Sequence, residues 1–317
     1  MLAVRNLTKW YPHHTAVDDV SFLVQEGETL VLLGTSGCGK TTTLKMINRL
    51  IEPTSGLIEL NGTDIRRQPA HELRRSIGYV IQETGLFPHY TIAQNIAVVP
   101  QLLGWEAVRI RRRTDELLAM LHLPETSLRQ YPDQLSGGQR QRVGLARALA
   151  ADPPVVLMDE PLGALDPVTR AGIRREFRQL DALRRKTIVM VTHDVQEAFE
   201  LGDRICLMDQ GRIQQIGTPK ELLLRPANNF VRRFFDDQRL TLQLQTVTLQ
   251  DLLPLLATDD TKPPPTHLLP IETTLADALR ATTEGPPAFV QSANGVVSLS
   301  GRKLLNAFGQ WLQQPSF

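Results

Sequence analysis

The sequence predicts an α/β fold: a mainly parallel sheet, entered through antiparallel strands and trailed by a small C-terminal appendage. Three observations carry this. The apolar run Thr29-Leu30-Val31-Leu32-Leu33 is followed by the glycine-rich Gly34-Thr35-Ser36-Gly37-Cys38-Gly39-Lys40-Thr41-Thr42 and then by the helix-like Thr43-Leu44-Lys45-Met46-Ile47. A second continuous apolar run, Val155-Val156-Leu157-Met158, ends in Asp159-Glu160, and a third, Thr187 to Thr192, ends at His193. Continuous rather than alternating apolar runs mark strands buried on both faces, as in the middle of a parallel sheet.

The glycine-rich stretch has the spacing G-x-x-x-x-G-K-[ST]. Strand, loop and helix in that order let successive backbone N–H groups turn inward on a polyphosphate, and the helix adds its positive N-terminal end. Lys40 is expected to reach the β- and γ-phosphates as a point charge, and the Thr41 hydroxyl to take one Mg²⁺ position. We read the stretch as a nucleotide site.

At 317 residues, with 42% hydrophobic and 22% charged residues, the chain has the composition of a folded soluble protein. A net charge of +1 gives no global attraction to nucleic acid or an anionic bilayer, so no nucleic-acid partner is expected. No run approaches the ~18 apolar residues of a membrane span, and the N-terminus lacks the pattern of a signal segment. The expected location is the cytosol. The 2 cysteines, Cys38 and Cys206, offer neither a disulfide framework nor metal spacing and read as reduced thiols.

Leu2 to Thr8 and Val17 to Val24 alternate apolar and polar residues, the pattern of antiparallel strands. Between them lies Trp10-Tyr11-Pro12; an aromatic there fits either stacking on adenine or packing on a strand edge. Glu52 to Gly56 reads as a turn, Leu57 to Leu60 as a strand and Asn61-Gly62 as a hairpin signal. Ile77 to Gln82 is a further apolar run ending in an amide. Gln82 can offer its oxygen to a metal or water, although strand-terminal glutamines are commonly just solvated.

Ile92 to Leu103 and Glu106 to Leu123 have helical spacing. The arginines at 109 and 111 to 113 are followed by Asp115-Glu116, so a solvated helix face fits better than a nucleic-acid patch. Leu135-Ser136-Gly137-Gly138-Gln139 opens the helical Arg140 to Ala150. A serine and two glycines before a helix form a second anion-seeking corner. Two such corners far apart in one chain suggest that two copies share nucleotides head to tail.

At the strand end, Asp159 is expected to hold Mg²⁺ and Glu160 to polarise an attacking water, because open α/β sheets bind ligands beyond the carboxyl ends of their strands. Asp166-Pro167 fits a helix cap, which needs no catalytic explanation. His193 ends a strand parallel to that of Glu160 and fits a γ-phosphate sensor. Ile205 to Ile213 reads as a hairpin with a glycine turn, and Pro219 to Phe235 as two short helices.

Taken in this order, the motifs resemble those of the ATP-binding cassette (ABC) ATPases, over residues 1 to about 235. The resemblance implies a P-loop NTPase core with a parallel sheet, an N-terminal antiparallel β subdomain, a helical subdomain and a small C-terminal appendage. It puts Tyr11 at the adenine-stacking aromatic, Gly34 to Thr42 at the Walker A loop, Gln82 at the Q-loop and Leu135 to Gln139 at the signature LSGGQ. It puts Asp159 and Glu160 at the Walker B aspartate and catalytic glutamate, Gly163 to Asp166 at the D-loop and His193 at the switch histidine. The D-loop begins here with Gly163 where serine is common.

Met46 to Gly56 and Gly78 to His89 are similar to the importer subunits for quaternary amines such as glycine betaine, choline and carnitine. Amino-acid, methionine and polyamine importers share part of this pattern. The implied protein binds ATP and Mg²⁺, forms a head-to-tail dimer, and sits on the inner face of the cell membrane. It works with a permease fed by a substrate-binding protein, the permease meeting the stretch after Gln82, through Phe87 and His89. A soluble cassette without a membrane partner is the rival; such proteins usually carry two cassettes or a long coiled-coil insertion, and neither pattern is present.

Residues 236–317 change character. Leu240 to Leu256 is leucine-rich and Lys262-Pro263-Pro264-Pro265 marks a linker. Subunits of this kind often end in a pair of CBS modules, for which this tail is too short. Leu269 to Leu279, Ala288 to Val290, Asn294 to Val297 and Lys303 to Phe308 resemble one reduced module; a packing or dimerisation appendage fits equally.

Overall fold

The computed structural model describes residues 1–82, 85–163, 165–180, 183, 185–256, 268–284, 287–292 and 295–313. The chain folds as two units, Met1–Thr218 and Pro219–Phe317. The expected linker at 262–265, Ala164 of the 163–166 stretch and Asn294 of the last hairpin lie outside the described residues.

The first unit opens with the antiparallel pair β1 (Leu2–Tyr11) and β2 (His14–Val24). Leu2, Val4, Leu7, Val17, Val20 and Val24 are buried in one core cluster, and register shifts between Val4 and Leu7 and between Leu7 and Lys9 interrupt the strict alternation. On its other edge β1 pairs with β4 (Ser55–Leu60), which turns through Asn61-Gly62 into β5 (Thr63–Asp64). Both turn residues have positive φ, 51° and 76°, as a tight hairpin requires. The result is a four-stranded sheet in the order β2-β1-β4-β5.

The second sheet is built from β3 (Thr29–Gly34), β6 (Ile77–Val80), β7 (Val155–Asp159), β8 (Thr187–Val191), β9 (Arg204–Asp209) and β10 (Arg212–Gly217). Its order is β10-β9-β3-β8-β7-β6, all parallel except the edge strand β10. Every residue of β7 and β8 is buried, as their unbroken apolar runs predict. Because five strands run the same way, their carboxyl ends form one edge. That edge carries Gly34, Asp159, Thr192 and Asp209, followed immediately in the chain by the glycine loop, Glu160 and His193. The side chains of Leu30, Leu32, Leu44, Leu157, Val189, Val191 and Cys206 form one core cluster beneath it, at roughly 1.5–3 kcal/mol for each large apolar side chain buried.

Helices fill the connections. α1 (Lys40–Ile47) begins at the loop itself, three residues before the apolar Thr43-Leu44 run that marks it in sequence. α2 is Ala70–Ser76. α3 (Ile92–Leu102), α4 (Ala107–Met120) and α5 (Gly137–Leu149) make up the helical part between β6 and β7. α3 starts on a capping box in which the Thr91 hydroxyl accepts from the Gln94 amide N–H and the Gln94 side chain accepts from Thr91 N–H. α6 (Pro167–Gln179) and α7 (Val195–Leu201) flank β8 in the chain.

The second unit contains α8 (Pro219–Leu224), α9 (Asn229–Phe234), α10 (Arg239–Thr246) and α11 (Leu249–Leu252). These precede β11 (Leu268–Leu269), α12 (Leu275–Glu284), β12 (Ala288–Ser292), β13 (Gly295–Leu299) and α13 (Gly301–Gln313). β11 and β12 are parallel, β12 and β13 antiparallel, and the three form their own sheet. Val247, Leu252, Leu275, Val290, Val297, Leu304 and Phe308 make its separate core.

Candidate functional site

The glycine loop joins β3 to α1 through backbone that side chains would obstruct. Gly34 has φ 151°, and a Cβ there would stand 2.1 Å from the Met208 carbonyl oxygen. Gly39 has φ 101°, and a Cβ there would stand 2.3 Å from the Ala16 carbonyl oxygen. Both positions need glycine for space as well as for φ. Lys40 is buried, with 7% of its surface exposed, and its Nζ donates to the carbonyls of Gly34 at 2.9 Å and Thr35 at 2.8 Å. Its other neighbour is Cys38 Sγ at 3.6 Å. The side chain thus folds back onto the loop that precedes it.

Thr41 Oγ1 donates to Asp159 Oδ1 at 2.8 Å, joining α1 to the end of β7. Asp159 is buried, and burial pushes its carboxyl above the usual range; the Thr41 hydrogen bond and the charges of Lys45 and Lys40 pull the other way without cancelling it. A raised carboxyl binds its proton better in the folded chain than in the unfolded one. Stability from this group is therefore full below the ordinary value of 3.8 and is lost as the pH rises through the raised value. Asp159→Asn is accordingly expected to melt higher than the parent near neutral pH in the absence of nucleotide. The difference should vanish as the pH falls towards 3.8, which thermal melts across pH would measure.

Glu160 follows with φ 45°, a left-handed backbone that costs a non-glycine residue ~1–3 kcal/mol. The surroundings hold it there: its N–H donates to the Val191 carbonyl at 2.9 Å and its carbonyl accepts from Gly163 N–H at 3.1 Å. This conformation places its side chain between two neighbouring strands. Glu160 Oε2 accepts from Gln82 Nε2 at 3.0 Å and lies 3.2 Å from His193 Nδ1. One carboxylate oxygen, on the residue that follows β7, therefore meets residues that follow β6 and β8.

Of the residues singled out in sequence, the structure brings the loop at Gly34 to Thr42, Asp159, Glu160, Gln82 and His193 to the one sheet edge. Ser136 to Gln139 and Asp166 are elsewhere in the unit, each at a helix start. Ser136 Oγ accepts from Gln139 N–H at 3.2 Å and Ser136 N–H donates to Gln139 Oε1 at 2.9 Å, a capping box for α5. A Cβ at Gly138 would meet Thr169 Cγ2 at 3.2 Å, so this corner lies against the first turn of α6. Asp166 Oδ1 accepts from the N–H groups of Val168 at 3.1 Å and Thr169 at 3.0 Å, the cap expected of it. A hydrogen bond from the Thr169 side chain, with these backbone bonds beside it, holds its carboxyl below the usual range. Tyr11, at the end of β1, stacks on His14 at 5.3 Å between ring centroids, with Lys9 Nζ 5.2 Å from its own.

One residue of the edge escaped the sequence reading. Asp209, at the end of β9, accepts from Thr35 Oγ1 at 3.0 Å and ties the loop to a third strand. The available signal was its position: it ends the apolar run Ile205 to Met208 as Asp159 ends its own.

The oxygen donors present fit a hard divalent cation. Thr41 hydroxyl and Asp159 carboxylate are already in contact, the carboxylate carries the burden of its own burial, and the Gln82 amide lies beside Glu160 on the same edge.

A family model described as "ABC transporter" matches residues 17–163. The glycine betaine uptake system ATP-binding protein YehX of Escherichia coli is 53% identical over 244 residues, which cover 77% of this chain and 79% of that one. The osmoprotectant import ATP-binding protein OsmV of Salmonella typhimurium is 49% identical over 284 residues, covering 88% and 72%. The glycine betaine/carnitine/choline transport ATP-binding protein OpuCA of Bacillus subtilis is 52% identical over 241 residues, covering 76% and 63%. Among solved structures, the dimeric structure of MJ0796, a bacterial ABC transporter cassette, superposes with a TM-score of 0.62 at 35% identity, covering 69% of this chain and 98% of that one. The same cassette in a dimeric post-hydrolysis state bound to ADP and Pi gives a TM-score of 0.62 at 35% identity, with the same coverage of 69% and 98%.

Proposed function

The chain belongs to the ABC transporter family, and from that premise we propose that it is the ATP-hydrolysing subunit of an importer for quaternary-amine osmoprotectants. Glycine betaine, choline and carnitine are the solutes named for its relatives. The observation that carries the ATPase reading is the Glu160 carboxylate, held by Gln82 and facing His193 beside the Thr41–Asp159 pair and the Lys40 loop.

Two copies enclose two ATP molecules, each between Gly34 to Thr42 of one chain and Ser136 to Gln139 of the other, with Asp166 at the same junction. Support comes from the helix-start geometry of the second corner, whose anion-seeking N–H groups lie apart from the first loop, and from the dimeric state of the similar cassette. Backbone N–H groups of Gly37, Cys38, Gly39, Lys40, Thr41 and Thr42 bind the phosphates, and Tyr11 stacks on adenine. Thr35 and Ser36 complete the loop. Lys40 Nζ leaves its two loop carbonyls for the β- and γ-phosphates. Thr41, Asp159 and Gln82 would hold Mg²⁺, which supplies charge neutralisation at the phosphate oxygens. Glu160 orients and deprotonates the water that attacks the γ-phosphorus in line, and His193 contacts the γ-phosphate and reports its presence.

Residues 1–235 make up the nucleotide-binding part, the short helices α8 and α9 included, and 236–317 the appendage. The strand–helix–strand–strand–helix order from β11 to α13 is compatible with one reduced CBS-like module. Among the described residues no helix is long and apolar enough to cross a membrane; in this reading a permease holds the chain at the inner face of the cell membrane. The exposed Phe87 and Tyr90, whose rings are 5.2 Å apart, support the stretch after Gln82 as the contact. Affinity purification of the tagged chain from detergent-solubilised membranes is expected to bring an integral membrane protein with it and, on reconstitution, ATP-dependent uptake of glycine betaine. Recovery with RNA or ribosomes alone would contradict the importer reading.

A further inference from the structure

Arg170 lies on the first turn of α6, outside every motif above, yet its guanidinium sits between two parts of the site. Its Nη2 donates to the carbonyl of Leu165 at 3.0 Å and reaches that of Gly163 at 3.5 Å. Its Nη1 donates to Asp194 Oδ2 at 3.3 Å. Asp194 directly follows His193, and the Gly163 N–H donates to the carbonyl of Glu160 at 3.1 Å. These contacts close a ring: Glu160 side chain to His193, His193 to Asp194 along the chain, Asp194 to Arg170, Arg170 to the Gly163 and Leu165 carbonyls, and from Gly163 back to the Glu160 backbone.

A second brace holds the same segment. Thr192 Oγ1 donates to Glu197 Oε2 at 2.6 Å and accepts from Asp194 N–H at 3.0 Å, and Glu197 Oε1 lies 4.0 Å from Arg170 Nε. Arg174 Nη1 is 3.9 Å from Asp194 Oδ1, so two guanidinium groups of α6 face the residue after His193. A planar fork of five donors spans a carboxylate on one side and backbone carbonyls on the other; a lysine offers three donors on one compact charge.

We infer that Arg170 is a positioning residue for hydrolysis, holding the segment that bears His193 in register with the turn that bears Glu160. The inference rests on the ATPase reading given above. A plain packing role for Arg170 would cost melting temperature and leave the chemistry of surviving folded protein unchanged. A positioning role acts through His193.

The test uses the full-length chain and compares the parent, Arg170→Ala, Arg170→Lys, His193→Ala and the double variant Arg170→Ala/His193→Ala. Misplacing a catalytic contact by a fraction of its length lowers kcat by about 10- to 100-fold, so Arg170→Ala should lose that much with KM for ATP little changed. Arg170→Lys should recover part of it, and the double variant should be no slower than His193→Ala. If Arg170→Ala does not fold, Arg170→Lys takes its place in the cycle with His193→Ala. Normal kcat in Arg170→Ala, a rise confined to KM, or a double variant slowed by the product of the two single losses would overturn the role. No turnover in the parent chain would instead remove the ATPase reading, and this role with it.

Discussion

Glu160→Gln is expected to bind ATP as the parent does and to hydrolyse it about 10²- to 10⁴-fold more slowly, the usual contribution of a positioned general base. The substitution keeps the shape of the side chain. A glutamine oxygen can still accept from Gln82 Nε2, which stands 3.0 Å from the present carboxylate, so the local hydrogen bond survives while the basic oxygen is lost. Binding and chemistry should therefore separate: affinity for ATP is retained, turnover collapses, and the ATP-bound dimer accumulates. Steady-state phosphate release together with size-exclusion chromatography in ATP measures both. Turnover near that of the parent would remove Glu160 from its role.

Lys40→Ala is expected to weaken both binding and turnover. The ammonium makes hydrogen bonds to the Gly34 and Thr35 carbonyls, and under the proposed function it should exchange them for phosphate oxygens when ATP binds. Hydrogen bonds to a charged partner contribute about 1.5–3 kcal/mol each, so losing one or two should raise the Kd for ATP by roughly 10- to 10⁴-fold. Charge stabilisation in the transition state disappears as well, lowering kcat by about 10²–10³-fold. Truncation also leaves two loop carbonyls without their present donor, so a modest fall in melting temperature should accompany the loss. Calorimetric titration with a non-hydrolysable ATP analogue distinguishes this variant from Glu160→Gln, which should bind it normally. Unchanged affinity in Lys40→Ala would contradict the assignment of the loop.

Much of the first unit is legible in sequence because its demands are local. A glycine loop between a buried strand and a helix declares itself through the residues that backbone geometry permits, as the tight approaches at Gly34 and Gly39 make plain. Buried parallel strands declare themselves through unbroken apolar runs, and the polar residue that ends each run falls at the edge where ligands bind.

What sequence does not carry is the meeting of residues distant in the chain. Nothing local shows that Gln82 and His193 share one Glu160 oxygen, that Glu160 takes up a left-handed backbone to reach them, or that Asp209 anchors Thr35. Those facts depend on the strand order β9-β3-β8-β7-β6, which sets β6, β7 and β8 side by side and inserts the early β3 between β8 and β9. Arg170 is illegible for the same reason: in sequence it is one arginine among several on a polar helix, and only the approach of α6 to the segment after β8 gives it partners. In the tail, composition changes after Phe235, whereas the fold divides after Thr218. Composition registers a change in surface and core chemistry, and the division registers which helices pack together.

The central claim is that each nucleotide site is finished by a second copy of the chain. Phosphate release by the purified parent protein, measured over a dilution series with the assembly state followed by light scattering, tests it most directly. Hydrolysis per chain should fall as dilution takes the protein from dimer to monomer and should return on concentration. A constant rate per chain in samples that scatter as monomer throughout would contradict it.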